Sequence, residues 1–315
     1  MQRLATWQLL AICVGIWSTT WYAVTYQVAP VAPEVALACR FLAAGGLVLL
    51  GCRWFGVSLR CSRAEHARLA LQGIFLYGLS YICVYYAERE VASGLVAVGY
   101  SASPLIAGLG AWAAFGARPG RRFLAGGLLG IGGVALIFWP GFETTGGGAR
   151  TALGATLTAA SVLLSTIGSL VASRNRQGGL PFWPSLGFGM LYGGAVCSAV
   201  AIARGAAWTL PETPAWWITL AYLTLAGSIF AFACFLTLQE RIGPGRTGTI
   251  GVMTPLLALP ISVAFEGFRP DAWTVAGALL AVLGNAMMLD PPRPRIPAPH
   301  GARIVPAPTR ANPRP

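Results

Sequence analysis

The chain has 315 residues, 56% hydrophobic and 10% charged, with a mean hydropathy of +0.65. Soluble domains carry about 25% charged residues, so this composition excludes a soluble globular enzyme. The 22 basic residues are all arginine and outnumber 10 acids, giving a net charge of +12. They lie in short gaps between apolar runs rather than on one soluble face, which argues against nucleic acid and for a lipid bilayer as partner.

A helix needs about 20 apolar residues to cross roughly 30 Å of hydrocarbon. Cutting the chain at its charges leaves nine runs of at least 18 residues: 4–33, 69–87, 91–117, 123–142, 151–173, 177–203, 213–239, 247–265 and 272–289. A tenth, 35–52, is interrupted only by Arg40. Backbone polar groups in lipid must pair within their own segment, so ten transmembrane helices are predicted. The short alternating strands of a barrel do not fit. The first run is longer than the apolar core of a cleaved leader and reads as a span.

Taken in order, the first span carries Trp17, Ser18 and Trp21 near its middle, the two tryptophans sharing a face. The second holds Arg40, about two turns from one end. Intramembrane charge is usually functional; Arg40 could draw a substrate carboxylate, pair with Glu88, or form a structural bridge. Tyr77, Tyr81 and Tyr85 run down one face of the third span, with Tyr85 also readable as interfacial belt. Tyr100 and Ser101 precede Pro104 in the fourth span. Ser165 and Ser169 lie in the sixth, and Thr249, Met253 and Pro255 in the ninth, where Pro260 is expected to add a second break. Asn285 in the tenth reads as a helix–helix hydrogen bond. A buried indole or phenol needs a polar partner. These groups therefore either line a passage, offering ring faces to an aromatic or ammonium-bearing cargo, or glue helices together. Pro104 and Pro255 each remove a backbone hydrogen bond, as hinges or as static kinks. Glu88, Glu90, Glu240 and Glu266 fall at span ends, so no mid-depth carboxylate is expected to relay protons.

Arginines divide 17 to 4 between the loops on the N-terminal side and those opposite. The positive-inside rule then puts both termini in the cytoplasm, which an even number of spans requires. Residues 291–315 hold nine Pro and five Arg and are expected to form a disordered cytoplasmic tail. The seven Cys show no CxxC spacing, and the His are His66 and His300 alone. No metal, cofactor or disulfide framework is expected, which weakens enzyme readings.

Residues 86–136 align without a gap on 237–287 at an offset of 151, with 14 identities that include Gly94/Gly245, Pro104/Pro255, Arg118/Arg269, Gly126/Gly277 and Gly133/Gly284. The chain is therefore read as two five-helix halves, 1–142 and 143–290. Five being odd, the second half enters the membrane inverted. The glycines around Gly126 and Gly130 favour close packing within the chain, so a monomer is expected rather than a homodimer.

The pattern Cys39-Arg40-Phe41-Leu42-Ala43-Ala44, the paired Ser103-Pro104-Leu105 and Thr254-Pro255-Leu256, and the Gly-rich stretches 126–136 and 277–287 resemble EamA-type carriers of the drug/metabolite transporter superfamily. The resemblance covers about 7–290. It implies a bacterial inner-membrane carrier that exports amino acids or other small metabolites. The aromatic interior is most similar to that of aromatic amino-acid exporters. Alternating access around a midplane cavity is the mechanism expected of inverted repeats. A carrier of drug-like solutes or nucleotide derivatives, and a channel or membrane-embedded enzyme, are the competing readings.

Overall fold

A computed structural model describes residues 3–116, 118–143 and 148–288, and the expected tail at 291–315 lies outside them. The described residues are helical, without strands. In chain order the elements are α1 (Thr6–Val28), α2 (Pro33–Trp54), α3 (Arg63–Glu90), α4 (Ser93–Ala114), α5 (Arg121–Glu143), α6 (Gly148–Gln177), α7 (Phe182–Ala203), α8 (Pro214–Ile242), α9 (Pro244–Phe265) and α10 (Ala272–Met288). Nine are long and apolar enough to cross a bilayer, and α10 is a shorter apolar helix of 17 residues. Large apolar side chains such as Trp54, Leu128 and Leu279 lie exposed on the outside, as lipid contact requires.

Polar residues set the helix ends. Ser62 and Glu65 form a reciprocal cap that starts α3 before its apolar run begins: Glu65 N–H donates to Ser62 Oγ at 3.3 Å, and Ser62 N–H to Glu65 Oε2 at 2.6 Å. Asp271 caps α10 by accepting from the Thr274 amide and hydroxyl, each at 2.7 Å. Those two donors hold its carboxyl below the usual carboxylate range. Arg89 closes the far end of α1 by donating to the Val28 carbonyl at 2.9 and 2.7 Å and to that of Val31 at 2.8 Å.

Four helices are irregular inside. α3 opens into a π-helical segment at Ile74–Leu79 and α8 does so at Leu223–Phe230. An advance of 151 residues carries Ile74–Leu79 onto 225–230, within the second segment. α4 tightens to a 3₁₀ turn at Tyr100–Ala102, and Pro104 starts the helical piece that follows. The expected break at Pro260 does not occur. Helix runs unbroken from Ile250 to Phe265 through both Pro255 and Pro260, and the interruption falls at Gly248–Thr249 instead. Each repeat-related proline removes the amide that would bond the carbonyl four residues back, and a serine hydroxyl donates there, at Tyr100 alongside the Ser103 amide. Ser103 donates to the Tyr100 oxygen, and Ser101 to the Gly251 oxygen at 3.4 Å.

α5 and α10 pack backbone to backbone. A Cβ on Gly126 would lie 2.3 Å from the Gly284 oxygen, and one on Gly133 would lie 2.5 Å from the Gly277 oxygen. Moving each residue by 151 turns the first contact into the second. α4 and α9 cross where Gly251 meets Tyr100, residues that are counterparts at the same offset; a Cβ on Gly251 would lie 2.7 Å from the Tyr100 oxygen. The crossing is tied to α10 by Asn285, whose Nδ2 donates to the Ser101 oxygen at 3.2 Å. α2 and α7 also meet at glycine, Gly45 against the Gly187 backbone.

Candidate functional site

α1, α2, α3, α4, α6, α8 and α9 surround a central cavity of about 140 Å³. Aromatic rings form much of its wall. Trp17 packs edge-on to Phe232 with centroids 5.2 Å apart and lies 5.3 Å from Phe235. Trp21 stands 5.3 Å from Tyr100, and Tyr81 meets Phe41 edge-on at 4.9 Å.

Arg40 reaches this wall from α2 and is 1% exposed. Its Nε donates to Ser228 Oγ at 2.8 Å and its Nη1 to the Tyr85 hydroxyl at 3.2 Å. The guanidinium also lies 5.1 Å from the Phe41 ring centroid and 4.9 Å from that of Tyr81. No carboxylate among the described residues pairs with it, so of the readings open for Arg40 the pair with Glu88 is not formed. The two π-helical segments prepare this end of the site. A π turn loosens the regular backbone ladder. In the π segment of α8 the Gly227 carbonyl accepts the Trp17 indole N–H at 3.2 Å. Ser228 Oγ bonds back to the Leu223 oxygen at 2.9 Å, five residues away, and so turns a lone pair to Arg40.

The remaining polarity is divided by sign. The Trp21 indole N–H is buried with no partner. It joins Arg40 and the Tyr81 and Tyr100 hydroxyls as donor groups of the wall. The hydroxyls of Thr20, Ser165, Ser169, Thr247 and Thr254 donate to carbonyls of their own helices, at 2.7–3.1 Å. Their protons being committed, they offer only oxygen lone pairs. Such a cavity can hold an anionic group at its donors, an ammonium at its acceptors and a flat apolar body between the rings.

Of the residues singled out from the sequence, Trp17, Trp21, Arg40, Tyr81, Tyr100, Ser165 and Ser169 line this cavity. Ser18 does not: it is buried and bridges α1 to α9, donating to the Val14 and Thr254 oxygens at 2.6 and 3.1 Å. Tyr77 is fully buried behind the wall against Phe41 and Phe232. Ser101 serves the α4–α9 crossing. Thr249 faces a separate hollow with Pro104, Arg246 and Asn285. Met253 is 40% exposed on the outer surface. Pro104 and Pro255 sit beside the wall rather than on it. Tyr85 is not interfacial belt but a buried partner of Arg40. Phe232, Phe235, Thr20, Thr166 and Thr247 join the wall without a sequence signal beyond their residue type, and Thr254 joins it from the repeated Pro motif. Glycines in the π segments, Gly78 and Gly227, are the sole sequence trace of those openings.

Replacing Trp17 by phenylalanine removes the bond to Gly227 but keeps a ring. Binding is expected to fall about tenfold, one net hydrogen bond with its orphaned carbonyl, as read by ligand titration. Unchanged affinity would assign that bond to packing alone.

Comparison with known proteins follows the same outline. The model of the EamA-like transporter family matches residues 5–139 and again 152–289. The uncharacterized inner membrane transporter YedA of Escherichia coli (strain K12) is 26% identical over 269 residues, covering 84% of this chain and 85% of YedA. A UPF0060 membrane protein of Arthrobacter sp. (strain FB24) is 32% identical over 102 residues, 32% of this chain and 81% of that one. A protein known from its crystal structure shares the fold with a TM-score of 0.67, at 19% identity, over 90% of this chain and 95% of its own.

Proposed function

The chain belongs to the EamA-like transporter family, and from that premise we propose that it exports small metabolites, aromatic and other neutral amino acids among them, by alternating access through the central cavity. It is a multi-pass membrane transporter of the drug/metabolite superfamily. The cargo assignment is carried by one observation: a buried arginine without a carboxylate partner on a wall of aromatic rings and lone-pair hydroxyls. A neutral amino acid supplies the missing groups, its carboxylate to Arg40, its ammonium to the hydroxyl oxygens, its side chain to the rings. Nucleotide derivatives would need several cations, and Arg40 is the one buried arginine among the described residues.

Two inverted halves, 1–142 and 143–290, would rock about the α4–α9 crossing. Support comes from the two family matches and from the glycine contacts that exchange at an offset of 151. Residence in the bacterial inner membrane, cytoplasmic termini and a monomeric state complete the proposal; the arginine asymmetry and the intrachain use of the glycine seam support it. Pro104 and Pro255 act in it as hinges, the carbonyls four residues back held by serines that can let go.

Transport of radiolabelled phenylalanine by Trp17→Ala and Tyr81→Ala, in protein shown to be folded, tests the cavity. Loss in both is expected, and normal transport in both would discard it. Pro104→Ala restores a backbone donor at the bend and is expected to slow turnover several-fold with little change in binding. An unchanged turnover would leave Pro104 as a packing feature.

A further inference from the structure

Glu88 lies near the end of α3, as expected from the sequence, but it is buried there. It is 9% exposed, and both its carboxylate oxygens are buried without a hydrogen-bond partner. Along α3 it lies one turn beyond Val84, which lines the cavity, and three residues beyond Tyr85, which holds Arg40. Its side of the helix is thus the side of Tyr81 and Val84. Past it, α4 and α9 are latched together: Ser93 donates to Glu266 through its amide at 3.2 Å and through its hydroxyl, and the Gly94 amide donates to Ser262 Oγ at 3.4 Å. Glu88 therefore stands between the cavity and a closed latch.

The charged groups that face Glu88 are Arg40 from α2, which attracts its anion, and Glu266 from the end of α9, which repels it. Tyr85, on its own helix, is already engaged by Arg40. The other charges nearby have partners elsewhere. Arg89 is spent on the end of α1, Glu90 on Arg150 at 3.0 Å, and Glu34 on Arg204 at 3.4 Å and the Tyr86 hydroxyl at 2.9 Å. A bare carboxylate cut off from water, with no donor, is far costlier than a neutral carboxyl.

We propose that Glu88 is a proton-binding site that competes with the cargo carboxylate for Arg40, so that cargo binding takes up one proton. When cargo occupies Arg40, Glu88 holds its proton on one oxygen and stays neutral behind the latch. When cargo leaves, Glu88 gives that proton to water, and its carboxylate takes over the guanidinium. No other bond forms or breaks. The sign follows from this competition. As pH rises, Glu88 ionises, captures Arg40 and weakens cargo binding, by up to about tenfold per pH unit for one coupled proton. The competition rests on the amino-acid reading above; the proton site does not.

Two readouts on the detergent-solubilised full chain test this. Infrared spectra of the cargo-free wild type, taken as pH is lowered from neutral, should gain a protonated-carboxyl stretch that saturating phenylalanine brings in at higher pH, that is absent in Glu88→Gln and that is kept in Glu90→Gln. A wild-type spectrum without it overturns the proton site. Phenylalanine affinity should fall with rising pH in the wild type and in Glu90→Gln, and become flat in Glu88→Gln. A pH profile unaltered by Glu88→Gln overturns the competition. Failure of phenylalanine to bind the wild type at any pH contradicts the cargo reading instead, and the infrared band then decides the proton site alone.

Discussion

Arg40→Gln is expected to weaken phenylalanine binding about a hundredfold, the usual consequence of removing one partner of a buried charge pair. The same change should leave phenethylamine, which has the ring and the ammonium but no carboxylate, within a few-fold of its wild-type affinity. The glutamine amide extends as far as the arginine Nε, so it keeps the contact with Ser228, now at 2.8 Å, and gives up the one to the Tyr85 hydroxyl, now at 3.2 Å through Nη1. The wall is therefore changed in charge and in that one bond. Arg40→Lys keeps the charge but not the planar fork, so an intermediate loss of about tenfold is expected. Isothermal titration with both ligands checks this. Equal losses for the two ligands would mean that Arg40 supports the wall without meeting a carboxylate.

The second large effect is structural. Gly133→Ala puts a methyl 2.5 Å from the Gly277 oxygen and 2.6 Å from the Ala281 nitrogen, both backbone atoms that cannot swing aside. The cost should reach about 3 kcal/mol, the upper end for overpacking a well-filled interior. It should appear as a lower thermal midpoint in detergent. Its neighbour provides the control: at Gly132 the nearest atom to a new Cβ is Leu280 Cδ2 at 3.9 Å, ordinary contact. Gly132→Ala should be neutral or slightly stabilising, since alanine is the better helix former by about 1 kcal/mol. Equal midpoints for the two variants would contradict the tight α5–α10 seam.

The glycines of this seam were legible in the sequence because a repeat at fixed offset filters chance: Gly126/Gly277 and Gly133/Gly284 recur together, and close approach is what glycine permits. The helices were legible for a simpler reason, since charge-free runs long enough to span lipid have few alternatives. The wall of the cavity was only partly so. Trp17, Trp21 and Tyr81 have the size and polarity to betray an interior passage, whereas Thr20 and Thr247 differ from packing threonines only in what stands opposite them. Tyr77 and Tyr81 show the limit of a face argument: one turn apart on the same stripe, one fills the core and the other lines the cavity. The π segments shift the register inside α3 and α8, so a strict 3.6-residue count misplaces side chains beyond them. Pro260 misled in the other direction. A proline late in an apolar helix can be carried as a bend, and the chain breaks instead at Gly248–Thr249, where α9 presses a glycine on Pro104.

Uptake of radiolabelled phenylalanine into proteoliposomes, with and without unlabelled phenylalanine inside and against empty liposomes, bears most directly on the carrier with an amino-acid cavity. Saturable, temperature-dependent uptake that internal phenylalanine accelerates is the expected result. Uptake no greater than that of empty liposomes, from protein shown to be folded, would contradict the cargo, and uptake that rises linearly without saturation would contradict the carrier.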